Sequence, residues 1–527
     1  MPDDSGGRQA APCFLKSLTG VPLNLWERLK RGVNLSSSND FKFPEVTRTP
    51  SRFRNPIGKY RLHRTTDCIA CGKCIELCPY DVHIMRRGRV FTKNHYLCVG
   101  PDCPEPCHEA CPVQALSLKR NPDFDVLGDI RWTPDLLAGT WHMAEFGEVP
   151  EQGLNCRTGE SEGGFDKLRL LFKAPKFRHE EPGDEEVDTG LELNRRNDNS
   201  HKIRINVPFY GGGMSYGSVS IKTMLSRIKA AAALGSICST GEGGYPAELK
   251  PYDDHVITQV ATGLFGVREE TIQRVKIVEF KYAQGAKPGL GGHLLGDKVT
   301  PGVARMREAV VGHSLFSPFP FHSVYSVEDH KKHVDWIKAI NPKALVSVKV
   351  STPNDVDMVA VGSYYAGAHI IHLDGSYGGT GAAPDIAKKN IAMPIEYAIP
   401  KVHRFLKEEG VRDKITVIAS GGIRTPHDVA KIIALGADGV CTGTADLVAL
   451  ECIRCHNCQS GRGCARGIAT TDPELMDLIE LDWGTQRIIN MFMAWRKELI
   501  RILKKFGMKG INELVGRTDC LVHLDYI

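Results

Sequence analysis

The segments Ile415-Thr-Val-Ile-Ala-Ser-Gly-Gly422 and Gly439-Val-Cys-Thr-Gly-Thr444 decide the predicted fold of this chain. Each contains a short apolar run, typical of a buried strand, that ends in a glycine turn. The runs themselves are Ile415–Ala419 and Gly439–Cys441. Working outward towards the N-terminus, six similar runs precede them: Ile203–Phe209, Ser236–Ser239, Val256–Val260, Val275–Phe280, Leu345–Val350 and His369–Leu373.

Segments with a helical pattern lie between several of these runs, including Ser220–Leu234, Asp355–Ala366 and Pro426–Leu435. Eight strands that alternate with helices over about 270 residues predict an α/β fold, the (β/α)8 or TIM barrel. A doubly wound sheet is the rival fold. The barrel is favoured because glycine turns after strands seven and eight suit the phosphate site that many barrels carry there.

One connection is too long to be a simple link between a strand and a helix. It runs from Lys281 to about Asp335 and contains the Gly- and Pro-rich stretch Gly285-Ala-Lys-Pro-Gly-Leu-Gly-Gly-His293. Long loops in compact domains are usually functional. We therefore expect this insertion to lie over the carboxyl-terminal mouth of the barrel, where barrel enzymes carry their chemistry.

Twelve of the seventeen cysteines fall into three groups: Cys68, Cys71, Cys74 and Cys78; Cys98, Cys103, Cys107 and Cys111; and Cys452, Cys455, Cys458 and Cys464. In the first two groups the fourth cysteine is followed by proline, as in bacterial ferredoxins with two [4Fe–4S] clusters. There the fourth cysteine of each run ligates the other cluster. The pattern predicts one cluster on Cys68, Cys71, Cys74 and Cys111, and a second on Cys98, Cys103, Cys107 and Cys78.

Structural zinc and disulfides are two other uses of such cysteines. Structural zinc prefers two separated Cys-x2-Cys pairs around one ion, which overlapping triplets fit poorly. Disulfides need an oxidising compartment, and residues 1–25 have no apolar run that would serve as a signal peptide. The third group is less regular, because Cys464 follows Cys458 by six positions. Zinc or scattered structural thiols remain alternatives there.

The bulk composition favours a soluble cytoplasmic protein of two or three domains. The chain has 527 residues, 42% of them hydrophobic, and a net charge of +5. No stretch approaches the ~20 apolar residues of a membrane span, so no membrane partner is expected. The charge is too weak for this length to indicate a nucleic-acid partner. Thiolate clusters without an export signal indicate the reducing cytoplasm.

The predicted organisation has five parts. Residues 1–55 form an N-terminal arm, and 56–125 a small α+β two-cluster ferredoxin-like domain. Residues 126–200 are a connector that packs on the barrel through its tryptophans. Residues 201–470 form the barrel domain, which includes the third cysteine group at 452–464. Residues 471–527 are a helical segment whose apolar stripe packs against the barrel, with dimerisation as the less favoured use.

The loops of the barrel resemble those of the FMN-binding synthase domain of glutamate synthase. The segments that carry the resemblance are Gly213-Met-Ser-Tyr-Gly-Ser-Val-Ser220, Ser239-Thr-Gly-Glu-Gly-Gly244, Gln259-Val-Ala-Thr-Gly-Leu-Phe-Gly-Val267, Gln284-Gly-Ala-Lys-Pro-Gly289, Tyr325-Ser-Val-Glu-Asp329, Gly378-Gly-Thr-Gly-Ala382 and Gly463-Cys-Ala-Arg-Gly-Ile-Ala-Thr-Thr-Asp-Pro473. The chain resembles short family members that have a leading ferredoxin domain and no glutaminase domain.

The resemblance implies an FMN cradle. Met214 and Ser215 would lie along the flavin, and Gln259, Lys281 and Lys349 would reach the flavin or its ribityl chain. A lysine near the N1/O2 edge stabilises the anionic reduced flavin. The backbone amides of Gly421, Gly422, Gly443 and Thr444 would hold the phosphate.

The substrate residues implied by the resemblance are Glu242 and Lys287. Lys287 suits an oxo-acid carboxylate, and Glu242 suits hydrogen bonding or proton transfer at an imine. The chain departs from the family pattern at Tyr245, Leu290 and His293, and also at Asp374, Ser376 and Tyr377. The family site with three cysteines binds [3Fe–4S]. Four cysteines here favour a third cluster of the [4Fe–4S] type, and [3Fe–4S] with one spare cysteine stays open as the alternative.

We therefore expect an iron–sulfur flavoprotein, an oxidoreductase acting on CH–NH2 donors, that reductively aminates 2-oxoglutarate with ammonia to L-glutamate. Electrons would pass from the clusters to FMN. Expected partners are a ferredoxin, or separate glutaminase and NAD(P)H-oxidoreductase subunits. Two alternatives stay open: a paralogue for another amine or oxo acid, such as an N-methylglutamate synthase component, and a non-catalytic electron-transfer subunit of a redox complex.

Overall fold

The computed structural model describes residues 41–172, 183–379, 383, 386–388, 390–459 and 462–526. Residues 1–40 of the predicted arm, 173–182 of the connector and 380–382 of one Gly-rich segment lie outside the described residues. Everything described belongs to one compact unit, Leu35–Ile527. Within it, no helix is both long and apolar enough to cross a membrane.

Eight parallel strands close into a barrel, which confirms the predicted fold. In chain order they are β1 (Phe209–Gly211), β2 (Cys238–Ser239), β3 (Val256–Ala261), β4 (Ile277–Lys281), β5 (Leu345–Ser351), β6 (Ile370–Asp374), β7 (Thr416–Ser420) and β8 (Gly439–Thr442). Each strand pairs with the next, and β8 closes on β1 through Thr442 and Gly211. All eight apolar runs therefore contribute a strand to the barrel.

The first predicted run is divided between two sheets. Only its end enters β1, while Arg204–Ile205 pairs antiparallel with Leu191–Glu192. Pro208 lies between the two parts and has no N–H to donate to a strand ladder. The barrel strand accordingly begins after this proline.

The helices of the barrel follow the strands as expected. They are Ile221–Ala233, Glu269–Arg274, Val327–Ile340, Val356–Ala366, Ile395–Glu408, Pro426–Ala434 and Thr444–Ala449, while the 3-10 helix Ala247–His255 connects β2 to β3. Ser220, Ser326 and Thr425 each accept a hydrogen bond from the backbone N–H three residues ahead. Such side-chain caps fix where a helix begins.

The insertion after β4 has structure of its own. It contains the two-stranded ribbon His293–Leu294 with Leu315–Phe316, and the short helix Pro301–Arg307. Thr300 caps this helix and Pro301 occupies its first turn. The insertion is thus an ordered segment rather than a bare connection.

The segments outside the barrel pack on it from both ends of the chain. In the N-terminal region Tyr60–Arg64 pairs with Leu116–Arg120, and His83–Arg86 with Arg89–Thr92, both antiparallel. Four further helices also lie outside the barrel: Lys73–Glu76, Pro122–Asp125, Pro134–Phe146 and Pro473–Met476. The strand Leu168–Leu170 pairs antiparallel with Leu521–His523. The long helix Leu481–Phe506 packs against Ile221–Ala233 and Pro134–Phe146. Its apolar stripe and the buried Trp132 of the connector belong to the main hydrophobic core.

The interior of the barrel is apolar at the amino-terminal end and polar at the other. A cluster that includes Ile257, Ile277, Leu345 and Ile370 fills the amino-terminal end. Because residues two apart on a strand face the same way, Glu279 and Lys281 follow Ile277 inwards along β4. The fold therefore directs polar side chains towards the mouth of the barrel.

Candidate active site

Four ionisable side chains meet at the barrel mouth, near the turn after β2. The Lys281 ammonium donates a 2.7 Å hydrogen bond to Oε1 of Glu242. Lys287, from the Gly-rich loop, and Arg307, from the insertion helix, are close enough to act electrostatically on the same carboxylate. The Lys287 and Arg307 side chains are buried. We call Glu242, Lys281, Lys287 and Arg307 the mouth cluster.

Burial and mutual charge shift the pKa values within the mouth cluster. Burial alone would raise the pKa of Glu242, but Lys281, Lys287 and Arg307 hold it below its usual value. Burial, with the nearby charge of Lys281, lowers the pKa of Lys287 to about 8. Burial likewise lowers the pKa of Arg307 to about 10. Glu242 is consequently an anion near neutral pH. Among the three members whose pKa is shifted, Lys287 has the pKa closest to neutrality.

Arg307 is a site residue that sequence reasoning missed. Its Nη2 donates to Ser215 Oγ at 2.9 Å and to the Tyr216 carbonyl at 3.1 Å. Its Nε is buried and has no hydrogen-bond partner in the described part of the chain. A buried donor without a partner is costly, so it marks a place where an anionic ligand would be bound. A basic residue inside the long insertion was the available signal.

The Gly-rich loop reaches the mouth cluster by close backbone contact. A Cβ on Gly292 would lie 1.8 Å from Oε1 of Glu242, so only glycine fits there. His293 follows on the ribbon and packs edge-to-face against Phe316, with ring centroids 4.9 Å apart. Glu242, Lys281 and Lys287 all influence its pKa, which burial lowers. Leu290 and His293, two positions at which the chain departs from the family pattern, both belong to this loop.

The glycine turns after β7 and β8 were predicted to form a phosphate cradle, and the turn after β7 approaches neighbouring backbone closely. Gly421 and Gly422 have φ angles of +93° and +98°, which other residues rarely adopt. A Cβ on Gly421 would lie 2.5 Å from the Gly375 carbonyl oxygen. A Cβ on Gly443 would lie 3.7 Å from Met214 Cε, and one on Gly379 would lie 3.1 Å from Thr444 Oγ1. The structure thus brings the predicted phosphate and flavin residues to one side of the mouth.

Lys349 at the end of β5 is buried with a counter-ion. Its Nζ lies 3.6 Å from Oδ2 of Asp374, which also accepts a 3.0 Å hydrogen bond from the Gly285 N–H. Burial opposes the charge of Lys349, but Asp374 and Glu279 raise its pKa above the usual value. Sequence reasoning placed Lys349 at the mouth and did not anticipate its pairing with Asp374.

A buried hydrogen-bond network continues from Asp374 into the barrel. Asp374 accepts from Ser420 Oγ, and Ser420 Oγ lies 2.8 Å from Nε2 of His372. The other His372 nitrogen lies 3.1 Å from Glu279, which accepts a 2.6 Å bond from Gln259 Nε2. Burial would raise the pKa of Glu279, but His372 and Lys349 bring it down to about 2. The predicted flavin residues Gln259 and Lys349 therefore belong to one satisfied polar network.

The structure brings together the four cysteines predicted for the second cluster. Cys78, from the first group, lines one small cavity together with Cys98, Cys103 and Cys107. In the other predicted set, Cys111 packs against a buried cluster that contains Cys74, and Arg64 donates to both Cys68 and Cys74, at 3.3 and 3.5 Å. No three His, Cys, Asp or Glu side chains among the described residues converge on a single metal ion; a four-iron cube holds its thiolates further apart.

The third group of cysteines adopts the loop conformation of the first. Ala70 and Gly72, on either side of Cys71, have φ angles of +53° and +82°. Arg454 and His456, on either side of Cys455, have φ angles of +57° and +60°. Cys458 and Cys464 lie close enough to Cys452 to help raise its pKa, and Cys455 and Cys464 lie close enough to Cys458 to do the same there. The two loops share a conformation that non-glycine residues adopt only under constraint.

Comparison with known proteins agrees with this geometry. The family described as "Conserved region in glutamate synthase" matches residues 155–509. The chain is 37% identical over 473 residues to the archaeal-type glutamate synthase [NADPH] of Thermotoga maritima, covering 86% of this chain and 92% of the relative. It is 35% identical to the archaeal glutamate synthase [NADPH] of Methanocaldococcus jannaschii, with the same two coverages. It is also 36% identical over 320 residues to the glutamate synthase [NADPH] large chain of Azospirillum brasilense, covering 59% of this chain and 21% of that one. This chain belongs to the glutamate synthase family of oxidoreductases.

Proposed function

We propose that this protein is an iron–sulfur flavoenzyme that forms L-glutamate by reductive amination of 2-oxoglutarate. The observation that carries the proposal is the charge of the mouth cluster. Lys281, Lys287 and Arg307 supply three positive charges against the single carboxylate of Glu242, which leaves two in excess. 2-Oxoglutarate carries two carboxylates, so its charge complements this excess.

Lys287 and Arg307 are the residues that we assign to the substrate carboxylates. The Arg307 guanidinium is held by Ser215 and the Tyr216 carbonyl, and its free Nε leaves a donor for a carboxylate oxygen. Charge-assisted bonds of this kind are the strong ones in proteins. Held at both ends, the oxo acid would present its 2-carbon in a fixed orientation.

Glu242 is assigned to the nitrogen of the imine. Its low pKa keeps it anionic, so it accepts hydrogen bonds from an N–H group and stabilises positive charge on an iminium. Lys281 fixes the orientation of the carboxylate through its 2.7 Å bond. Of Glu242 and Lys287, Lys287 is the better suited to exchange a proton near neutral pH, because its pKa is about 8.

The residues at the mouth fit FMN. The turn at Gly443 leaves open space in which a Cβ would meet only Met214 Cε, at 3.7 Å, and Lys349 supplies a buried positive charge. FMN bound there supplies hydride to an imine carbon and converts single electrons to electron pairs. Asp374 and the network behind it hold Lys349 in place for that cofactor.

Three [4Fe–4S] clusters are proposed as the electron source. The assignments are those predicted from the sequence, and the shared cavity of Cys78, Cys98, Cys103 and Cys107 supports the exchange of the fourth ligand. The common loop conformation at Cys71 and Cys455 supports a cluster in the third group. Lys298, on the insertion, donates a 2.7 Å bond to the Cys458 carbonyl and so connects this group with the segment that carries Lys287.

Other proteins would supply ammonia and reducing equivalents. The archaeal-type relatives are chains of similar length, and they are named as NADPH glutamate synthases. We propose separate subunits or a ferredoxin for these roles.

The second candidate is synthesis with another amine or oxo acid, which His293 and Leu290 favour because they lie at the loop over Glu242. The test is to incubate the reduced, cluster-loaded protein with a panel of 2-oxo acids and with ammonium or methylamine. We expect 2-oxoglutarate with ammonium to give the highest rate. A higher rate with methylamine or with another oxo acid would favour the second candidate, and no product from any pair would favour an electron-transfer subunit.

Glu242→Gln provides a control within the same protein. It should lower glutamate formation by about 10²–10³-fold, while oxidation of the reduced flavin by an artificial dye continues. If both activities fall together, the variant has damaged the cofactor site, and the role assigned to Glu242 is not supported.

A further inference from the structure

A surface beside the first cysteine group combines exposed apolar side chains with an exposed cluster ligand. Ile69 is 62% exposed, Met85 48% and Val113 39%. Cys71 is exposed, whereas Cys74 of the same group is buried. The helix Lys73–Glu76 packs against the strand His83–Arg86, and a Cβ on Gly72 would touch Met85 Cε at 4.0 Å. Cys71 and Met85 therefore lie on one continuous surface, which we call the Cys71 face.

The rim of the Cys71 face is basic and unpaired. Lys73, Arg86, Arg87 and Arg89 are exposed, and their side chains have neither a hydrogen bond nor an ion pair within the described part of the chain. Asp67 and Glu76 are the acidic residues of the segments 67–76 and 85–89, so four cations face two carboxylates. Asp67 already accepts a 3.0 Å bond from Thr65.

Most of the basic residues upstream of Cys68 differ from this rim because they make internal contacts. Arg52 donates to the carbonyls of Leu478 and Arg466. Lys59 pairs with Asp135 at 2.9 Å, and Arg64 donates to the Cys68 and Cys74 sulfurs. Arg54 is also exposed without a side-chain partner among the described residues, but it is a single cation, whereas the hairpin turn between Met85 and Val90 presents three exposed guanidinium groups together. The free positive charge thus concentrates beside the most exposed cluster ligand of the first group.

We propose that the Cys71 face is the docking surface for an acidic, one-electron redox protein, which reduces the cluster of the first group. The proposal rests on the proposed function, because it requires a cluster on Cys68, Cys71, Cys74 and Cys111. Each encounter oxidises the partner by one electron and reduces this cluster by one, with no bond made or broken. Two encounters supply the electron pair for one reductive amination.

The chemistry of the face selects this partner over other occupants. A second copy of the chain would bring basic rim against basic rim, which repels. An acidic partner is attracted over a distance and orients before contact, while the small apolar centre excludes water. Transient redox complexes have small interfaces of this kind, below about 1,200 Å².

The experiment follows reduction of the clusters by a reduced acidic ferredoxin, mixed anaerobically in a stopped-flow instrument at several salt concentrations. Sodium dithionite, which needs no docking surface, is the second reductant. The test variant is Arg87→Glu with Arg89→Glu. The control variant is Lys343→Glu with Lys414→Glu. These two lysines are exposed and precede β5 and β7, at the amino-terminal end of the barrel.

We expect the ferredoxin rate of the wild type to fall as salt rises. The test variant should lose about tenfold or more of that rate at low salt and lose its salt dependence, since steering accounts for 10–10³-fold. Its dithionite rate and the behaviour of the control variant should match the wild type. Equal ferredoxin rates in the test variant and the wild type would overturn the proposal, as would a wild type that the ferredoxin does not reduce.

Two further outcomes assign the face to another occupant and also overturn the proposal. One is binding of the wild type, but not of the test variant, to phosphatidylserine vesicles, with ferredoxin rates unchanged. The other is a wild-type dimer in sedimentation that the test variant abolishes. Failure of the proposed function can be told apart from failure of this docking proposal. If the proposed function were wrong, dithionite would reduce no cluster, or the reduced protein would form no glutamate.

Discussion

At the scale of single residues, the site is set by charges that the barrel holds out of water. Glu242 lies between a lysine at the end of β4 and a glycine of the insertion, so its position is fixed from two sides. Lys287 and Arg307 complete a buried environment that is basic overall. The same principle applies at Lys349, whose counter-ion is Asp374. Glu242 and Lys349 each have a counter-ion, which lowers the cost of burying their charge.

The lowered pKa of Lys287 predicts a pH dependence. A lysine with a pKa of about 8 is protonated below that pH and neutral above it. If its charge binds the oxo acid, kcat/KM for 2-oxoglutarate should fall as the pH rises through about 8. Lys287→Arg should shift that fall to higher pH, because guanidinium keeps its proton. Lys287→Ala should raise KM by about 10–150-fold, which corresponds to ~1.5–3 kcal/mol for a charge-assisted hydrogen bond.

The measurement is the pH profile of kcat/KM for the wild type and both variants. A wild-type profile that stays flat from pH 7 to 9.5 would remove Lys287 from substrate binding.

The contacts of Arg64 predict a tuned cluster potential. Its guanidinium donates to the sulfurs of Cys68 and Cys74, so it stabilises added negative charge on that cluster. Arg64→Leu should shift one of the N-terminal clusters to a more negative reduction potential and leave the others unchanged. Redox titration followed by electron paramagnetic resonance measures this. Arg61→Leu is the control, because Arg61 pairs with Asp123 at the surface, and identical potentials in both variants would refute the assigned role.

At the scale of elements, two features matter most: the insertion after β4 and the recurring cysteine loop. The insertion carries Lys287 and Arg307 into the mouth and also reaches the third cysteine group through Lys298. One ordered segment thus connects substrate binding with the proposed electron path. The cysteine loop uses left-handed residues on both sides of its second cysteine in two distant places of the chain.

Gly292 tests the role of the insertion. An added Cβ would collide with Oε1 of Glu242, so Gly292→Ala must displace either the loop or the carboxylate. We expect a loss of glutamate formation of about 10²-fold or more, as for removal of a positioned acid–base group. FMN content and dye reduction should be retained. Gly302→Ala, where the added Cβ would meet Tyr216 only at 3.7 Å, should behave as the wild type. Equal activity of both variants would contradict the close packing of Gly292 on Glu242.

The third cysteine group predicts iron content. With three [4Fe–4S] clusters the protein should contain about twelve irons per chain. Cys455→Ser should remove about four of them, or leave a three-iron cluster, and should slow electron transfer from the N-terminal clusters to the flavin. Iron analysis together with the resonance spectra of the reduced protein makes the measurement. About eight irons in the wild type would show that the third group binds no cluster.

At the scale of the whole molecule, the sequence predicted the barrel because its signals are local. Apolar runs such as Leu345–Val350 and the glycine turns after β7 and β8 are visible without knowledge of contacts. Three of the four mouth-cluster residues were visible in the sequence. Glu242 and Lys287 lie in Gly-rich stretches and Lys281 ends an apolar run, whereas Arg307 lies on a helix inside the insertion. Its approach to Ser215 joins residues 92 positions apart, and no periodicity encodes such a pairing.

Long-range contacts also explain how the outer segments are held. Arg487 on the long C-terminal helix donates to the carbonyls of Ala449, Thr49 and Trp141. Asn490, one turn further on, donates to the Thr47 and Ala144 carbonyls. One helix therefore joins residues 47–49, the helix Pro134–Phe146 of the connector and the helix Thr444–Ala449 that precedes the third cysteine group. A sequence pattern shows that this helix is amphipathic, but only the structure shows which carbonyls its polar side chains satisfy.

A single-turnover experiment tests the central claim most directly. Protein with all cofactors is reduced fully, freed of excess reductant, and mixed anaerobically with 2-oxoglutarate and 15N-labelled ammonium. The account predicts reoxidation of the flavin and 15N-glutamate in an amount that equals half the electrons withdrawn. A flavin that stays reduced in the presence of both substrates, with no labelled glutamate, would contradict it.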